Sequence, residues 1–257
     1  LHPRPRPAPR RRPPRPGLPP PPRPSPPQTP PDSDRDINKR SNSDLYTAVV
    51  GDVMDTLGLR RQFLPQAIQP MKADMVIAGR AMPVLEADIF GEANEASRGP
   101  LAHKPFGLMF EALDDLKAGE IYIATGASLR YALFGELMAT RATYLKAAGA
   151  ILDGYVRDAG GIEALGLPMF SRGIYAQDQG VRGKVIDFRS AIEIDGVRIA
   201  PGDLLFGDRE GVLVIPREAE GDVIAKAVEK ARTEGEVEKA IKSGMGACEA
   251  WEKFGVF

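Results

Sequence analysis

Glu136, Arg157 and Asp158 are the residues whose types and placement best suit chemistry on a small anion. Asp158 offers a hard carboxylate oxygen of the kind magnesium and manganese prefer. Arg157 beside it presents a planar fork that matches a carboxylate or an enolate oxygen. Earlier in the chain, Gly135 and Glu136 open a helix, and a helix N-terminus carries unpaired N–H groups and partial positive charge. Gly135, Glu136, Leu137 and Met138 can therefore receive a substrate carboxylate without a basic side chain. Taken alone, the Arg157-Asp158 pair fits a solvated surface turn as readily, and Gly135 and Gly154 fit plain turn and packing residues.

The elements that must position these groups are legible around them. Phe134, Leu137, Met138, Ala142, Leu145 and Ala148 recur at three- and four-residue steps, giving one apolar helical stripe that Gly149 should stop. Ala150, Ile151 and Leu152 read as a short buried strand, with Asp153-Gly154 turning the chain at its end. Upstream, residues 44–57 read as a helix capped near Ser43, Met75–Val84 as a strand, Phe106–Leu116 as a helix and Glu120–Thr125 as a strand. Gly126-Ala127-Ser128 should line the same cleft. Downstream, Ile162–Leu165 is helical and Pro168–Tyr175 extended. Val185–Ile194 and Val197–Ile199 flank an Asp195-Gly196 hairpin signal. Leu204–Phe206 and Val212–Ile215 are apolar strands, and Asp222–Ile241 is a long charged helix with Val223, Ala227 and Ala231 on one side.

Composition removes several function classes. The only histidines are His2 and His103 and the only cysteine is Cys248. An intrachain disulfide is therefore impossible, a histidine-rich zinc site or a Ser-His-Asp triad has almost no material, and any metal should be magnesium or manganese held by carboxylate and water. Low cysteine use suggests a reducing, cytoplasmic setting. No phosphate-loop lysine and no GxGxxG turn follow a strand, which argues against nucleotide binding or methyl transfer from S-adenosylmethionine. No apolar run reaches membrane-spanning length.

Residues 1–31 hold seven arginines, many prolines and no acid; since the whole chain is formally −1, residues 32–257 carry −8. A body of that charge does not suit direct nucleic-acid binding. The Pro/Arg segment, taken as residues 1–35, is expected to be disordered with polyproline II character and separate from a single domain over 36–257. Because it begins on Leu1, it is read here as an artefact of upstream sequence rather than a peptide ligand or RNA-binding arm.

Four stretches carry a resemblance: GELMAT from Gly135, AAGAILDGYVRD ending at Asp158, GDLLFGDREGVLVIP from Gly202 to Pro216, and the ending GMGACEAWEKFGVF. In this order and spacing they resemble the metal-dependent class II 4-hydroxy-4-methyl-2-oxoglutarate aldolases, a family that also holds the RraA-like regulators of ribonuclease E. Many members have been misnamed as demethylmenaquinone methyltransferases. The resemblance covers roughly Asp44 to Phe257. It departs from the family pattern at Glu210, where aspartate is usual.

The resemblance implies an α/β domain of the three-layer swivelling β/β/α type with a mixed central sheet, assembled as a homotrimer or hexamer. It implies a lyase that splits a small 2-oxo acid to release pyruvate, with oxaloacetate decarboxylation at the same site. Magnesium or manganese would sit on Asp158, Arg157 and the N–H groups of residues 135–138 would hold the substrate, and Glu136 and Glu234 would steer a water. Glu234 is implied to reach a neighbouring subunit's site, with Glu236 close enough in sequence to take that place. The alternative is a non-enzymatic regulator that binds an arginine-rich protein partner such as a ribonuclease.

Overall fold

The computed structural model describes residues 45–91 and 97–257. The Pro/Arg segment and the Ser43 cap lie outside the described residues. The elements run α1 (Thr47–Thr56), β1 (Gln69–Pro70), β2 (Ile77–Asp88), α2 (Met109–Asp115), β3 (Glu120–Thr125), β4 (Ala132–Phe134) and α3 (Glu136–Tyr144). They continue with β5 (Gly149–Val156), α4 (Ala159–Leu165), β6 (Met169–Ile174), β7 (Gly183–Phe188), β8 (Ile192–Ile194) and β9 (Val197–Ile199). The chain closes with β10 (Leu204–Asp208), β11 (Gly211–Ile215), α5 (Glu220–Lys242) and α6 (Ala247–Phe254).

A mixed sheet is the middle layer. Its order is β1-β6-β5-β3-β2-β10-β11, with β4 pairing β5 and β7 pairing β2. The pairs β2–β3, β3–β5, β4–β5 and β5–β6 are parallel, while β1, β7, β10 and β11 add antiparallel margins. Parallel strands are buried on both faces and need no polar alternation, which is why Ile121, Tyr122, Ile123 and Ala124 form one continuous apolar run at 0% exposure.

Side chains leave this run toward two cores. Tyr122, Leu152 and Met169 pack with Phe134, Met138, Ala139 and Ala142 under the helical layer. On the opposite face, Ile123, Ile151 and Phe170 pack beneath the β8–β9 hairpin through Ile192, Ile194, Val197 and Ile199. Each such side chain, fully buried, contributes roughly 1.5–3 kcal/mol. A third core joins α1 and α5 to β10 and β11 through Val50, Met54, Leu213, Val223 and Ala227. The hairpin turn uses Asp195 and Gly196 at φ 49° and 80°, the left-handed pair that a two-residue hairpin requires. The architecture is the α/β, three-layer arrangement with a mixed sheet that the resemblance implied.

Three local expectations are corrected. The central helix ends at Tyr144 rather than Ala148: Lys146 turns left-handed at φ 61°, the Ala147 N–H closes on Ala142 O at 3.0 Å, and the Ala148 N–H already donates to Glu120 O at the sheet margin. The buried stripe is offset, with Met138, Ala139 and Ala142 inside and Leu137 85% exposed. Asp153-Gly154 is not a turn but lies within β5, at a register shift against β6 between Leu152 and Tyr155. A Cβ on Gly154 would stand 2.6 Å from Leu133 Cδ1, so this glycine lets two neighbouring segments pass rather than reverse the chain.

Candidate active site at the ends of the parallel strands

Strands β4, β5 and β6 are parallel, so their C-terminal ends open on one edge of the sheet, where α/β proteins place ligands. Gly135 and Glu136 follow β4 directly, and Arg157 and Asp158 follow β5. A bulge between Ala132 and Phe134 in the β4–β5 pairing adjusts the first of these exits, and the Arg157 N–H donates to Phe134 O at 2.9 Å to tie the two together. The fold thus brings together the groups that the sequence keeps apart.

Asp158 occupies the left-handed region at φ 56° and ψ 38°, unusual for a non-glycine residue, and starts α4. This conformation turns its carboxylate toward α3, where Oδ2 accepts the Glu136 N–H at 3.3 Å. Arg157 Nε stands 3.5 Å from the same oxygen. Gly135 is enclosed between them: an added Cβ would meet Asp158 Oδ2 at 2.8 Å and Arg157 Nε at 3.2 Å. Its backbone is extended (φ −141°, ψ −179°), so close approach, and not a backbone strain, is what asks for glycine here. The Glu136 side chain folds over Gly161, where a Cβ would collide with its carboxyl group. At this end of α3 Asp158 takes the Glu136 N–H, and the N–H groups of Leu137 and Met138 lie in the first turn, where a helix offers no intrahelical acceptor.

Sequence reasoning missed Asp178. Its Oδ1 lies 2.9 Å from Arg157 Nη1, and its Oδ2 accepts the Gly180 N–H at 2.8 Å. The guanidinium therefore has an ion-pair partner on each side, with 38% of its side chain still exposed for a substrate. Nothing in the local sequence marks Asp178, because the loop after β6 has no motif and its meeting with Arg157 is tertiary.

A magnesium or manganese ion fits the donors present only as a largely hydrated guest. Asp158 Oδ1 accepts no hydrogen bond among the described residues and its side chain is 45% exposed. No group of three or more His, Cys, Asp or Glu is placed to hold a metal among the described residues. One carboxylate with waters and substrate oxygens completing the shell is a usual arrangement for magnesium.

Glu234 stands apart from this cluster within its own chain. On α5 it accepts hydrogen bonds from Tyr46 Oη and from Lys230, whose ammonium also reaches Asp52 at 3.2 Å. Burial pushes the Glu234 carboxyl up, but the bonds from Lys230 and Tyr46 outweigh it and leave the group below its ordinary value. The same bond, with burial, pushes Tyr46 up to about 12. Glu234 and Glu236 both line an open groove of about 960 Å³ formed by α5, Tyr46 and Phe257. His103 is exposed. No helix among the described residues is long and apolar enough to cross a membrane.

A family profile described as Aldolase/RraA, RraA-like, matches residues 47–214. Over 210 residues the chain is 28% identical to protein DlpA of Legionella pneumophila; the match takes in 81% of this chain but only 32% of DlpA, so the chain spans about a third of that relative. It is 26% identical over 152 residues to a 4-hydroxy-4-methyl-2-oxoglutarate aldolase of Thermus thermophilus, covering 58% of this chain and 92% of that protein. Among solved structures, RraAS2 of Streptomyces coelicolor, described as an unusual member of the RNase ES inhibitor RraA family, superposes with a TM-score of 0.67 over 82% of this chain and 98% of its own. At 18% identity this likeness speaks to the fold alone.

Proposed function

The chain belongs to the RraA-like (Aldolase/RraA) family, and from that footing we propose that it is a divalent-metal-dependent lyase that cleaves a small 2-oxo acid and releases pyruvate. The observation that carries this reading is the convergence of Arg157, Asp158, Glu136 and the first turn of α3 at one edge of the sheet.

A substrate of the 4-hydroxy-4-methyl-2-oxoglutarate type carries a carboxylate beside a 2-oxo group. Arg157 and the N–H groups of Leu137 and Met138 bind that carboxylate, and Asp178 keeps the guanidinium fork in plane for it. Asp158 would hold a magnesium or manganese ion, which would supply Lewis-acid stabilisation of negative charge on the 2-oxo oxygen. Glu136, exposed at the start of α3, steers a water that takes the proton from the 4-hydroxyl group. As that proton leaves, the C3–C4 bond breaks, its electron pair passes to the enolate of one pyruvate, and the hydroxyl carbon becomes the carbonyl of the second product. Protonation of the enolate at C3 completes the balance. Oxaloacetate decarboxylation passes through the same enolate, with carbon dioxide as the other product.

The site is proposed to be shared, with Glu234 entering from a neighbouring copy in a homotrimer or hexamer. The second reading, a regulator that binds a basic protein, draws on the −8 charge of residues 32–257. Assaying pyruvate release from 2-oxo acids with magnesium or manganese separates the two: a lyase turns over, whereas a regulator does not.

A further inference from the structure

Glu86 lies near the end of β2, at the same edge of the sheet as the exits of β3, β4 and β5, and is 2% exposed. A register shift between Leu85 and Glu86 in the pairing with β7 marks its position. Its Oε2 accepts a 2.7 Å hydrogen bond from Gln179 Nε2, itself 3% exposed, while Oε1 has no partner among the described residues. A buried carboxyl with one bond is a net cost to stability that leucine would not incur.

Gln179 follows Asp178. Its carbonyl accepts the N–H groups of Arg182 at 2.6 Å and Gly183 at 3.0 Å, and Ala132 N–H donates to Gln177 O at 2.8 Å. Asp178 in turn meets Arg157 Nη1 at 2.9 Å. The side-chain bond that Gln179 donates to Glu86 thus anchors, from inside the protein, the loop that presents Asp178 to Arg157. We infer that Glu86 is a positioning residue of the active site, which acts through Gln179 and Asp178 to fix the guanidinium of Arg157. Burial pushes its carboxyl up to about 8, so it is mostly neutral at neutral pH and needs no buried counter-ion beside Tyr122 and Tyr131.

The role rests on the lyase reading, so the test has one arm that needs turnover and one that does not. On the full chain with magnesium, E86L should lower kcat/KM for pyruvate release by about tenfold, mainly through KM, because a misplaced fork binds the carboxylate poorly. E86Q keeps the neutral hydrogen bond and should stay within about twofold. D178N should resemble E86L, and the E86L/D178N double variant should be no worse than D178N alone, since both act on Arg157. In the second arm, amide hydrogen exchange at Gly180, Arg182 and Gly183 should quicken by about tenfold in E86L but not in E86Q. If E86L does not fold, Gln179→Leu replaces it with the same expectations. Unchanged exchange in the folded variant, or losses that multiply in the double variant, would overturn the inference. Absence of any turnover in the wild type would instead count against the lyase reading, and the exchange arm would still decide the role of Glu86.

Discussion

Arg157 and Asp178 leave different strands and meet at 2.9 Å, so the guanidinium is oriented by a carboxylate that belongs to neither of the turns carrying the substrate-binding groups. A flexible ammonium at position 157 would keep the charge and lose this planar, two-sided placement. Arg157→Lys should therefore lose on the order of 100-fold in kcat/KM. The side chain is only half-buried, so the melting temperature should move little. Steady-state kinetics beside a thermal melt checks both halves, and an active Lys variant would show that charge alone suffices.

Gly135→Ala tests close approach at the start of α3. The new Cβ would press on Asp158 Oδ2 and Arg157 Nε, prising the two apart, while the extended backbone accepts alanine without strain. Activity should fall by about tenfold or more with the helical circular-dichroism signal unchanged. Wild-type kinetics in this variant would mean that the spacing of the three groups is not critical.

Much of this was readable beforehand, and the reasons differ by residue. Apolar runs such as Glu120–Thr125 announce parallel strands because burial on both faces removes alternation, and Asp195-Gly196 announces its hairpin by backbone conformation alone. The end of β5 was misread because Asp153-Gly154 is a turn dipeptide locally, whereas the structure spends it on tertiary contacts: Asp153 accepts bonds from Thr125 and Arg172, and Gly154 clears Leu133. The three-residue β4 gave too short a signal. Asp178 carries no local mark, and the left-handed Asp158 could not be told from an ordinary turn residue. Glu86 did leave a trace, as an acid directly after the apolar run Met82–Leu85, since a charge on a buried strand asks for a reason.

The raised value at Glu86 makes stability depend on pH. The folded protein holds that proton up to about pH 8, whereas an unfolded carboxyl gives it up near its ordinary value of 4.5. The folded state thus binds more protons across that window, and stability that is full below pH 4.5 is lost as pH rises toward 8. E86Q has nothing to titrate there, so its stability should stay flatter between pH 5 and 8 than the wild type's in chemical denaturation. Parallel curves for the two proteins would show that Glu86 is charged or solvated.

Glu234 is tied to Tyr46 and Lys230 in its own chain, yet also lines an open groove. If it completes the partner's site, Asp158→Ala and Glu234→Ala should each be nearly inactive, and refolding the two together should restore part of the activity. In a head-to-tail ring some interfaces then pair an intact Asp158 with an intact Glu234. Mixed oligomers as inactive as either parent would make Glu234 an intrachain brace, with Glu236 or a wholly intrachain site in its place.

Pyruvate release from 4-hydroxy-4-methyl-2-oxoglutarate or oxaloacetate tests most directly whether cleavage depends on a metal held by Asp158. The wild type should release pyruvate with magnesium or manganese, lose that activity on chelation and regain it when metal is restored. Asp158→Ala should match the chelated protein at every substrate level. Full turnover in metal-free buffer, or an Asp158→Ala variant as active as the wild type, would contradict the account.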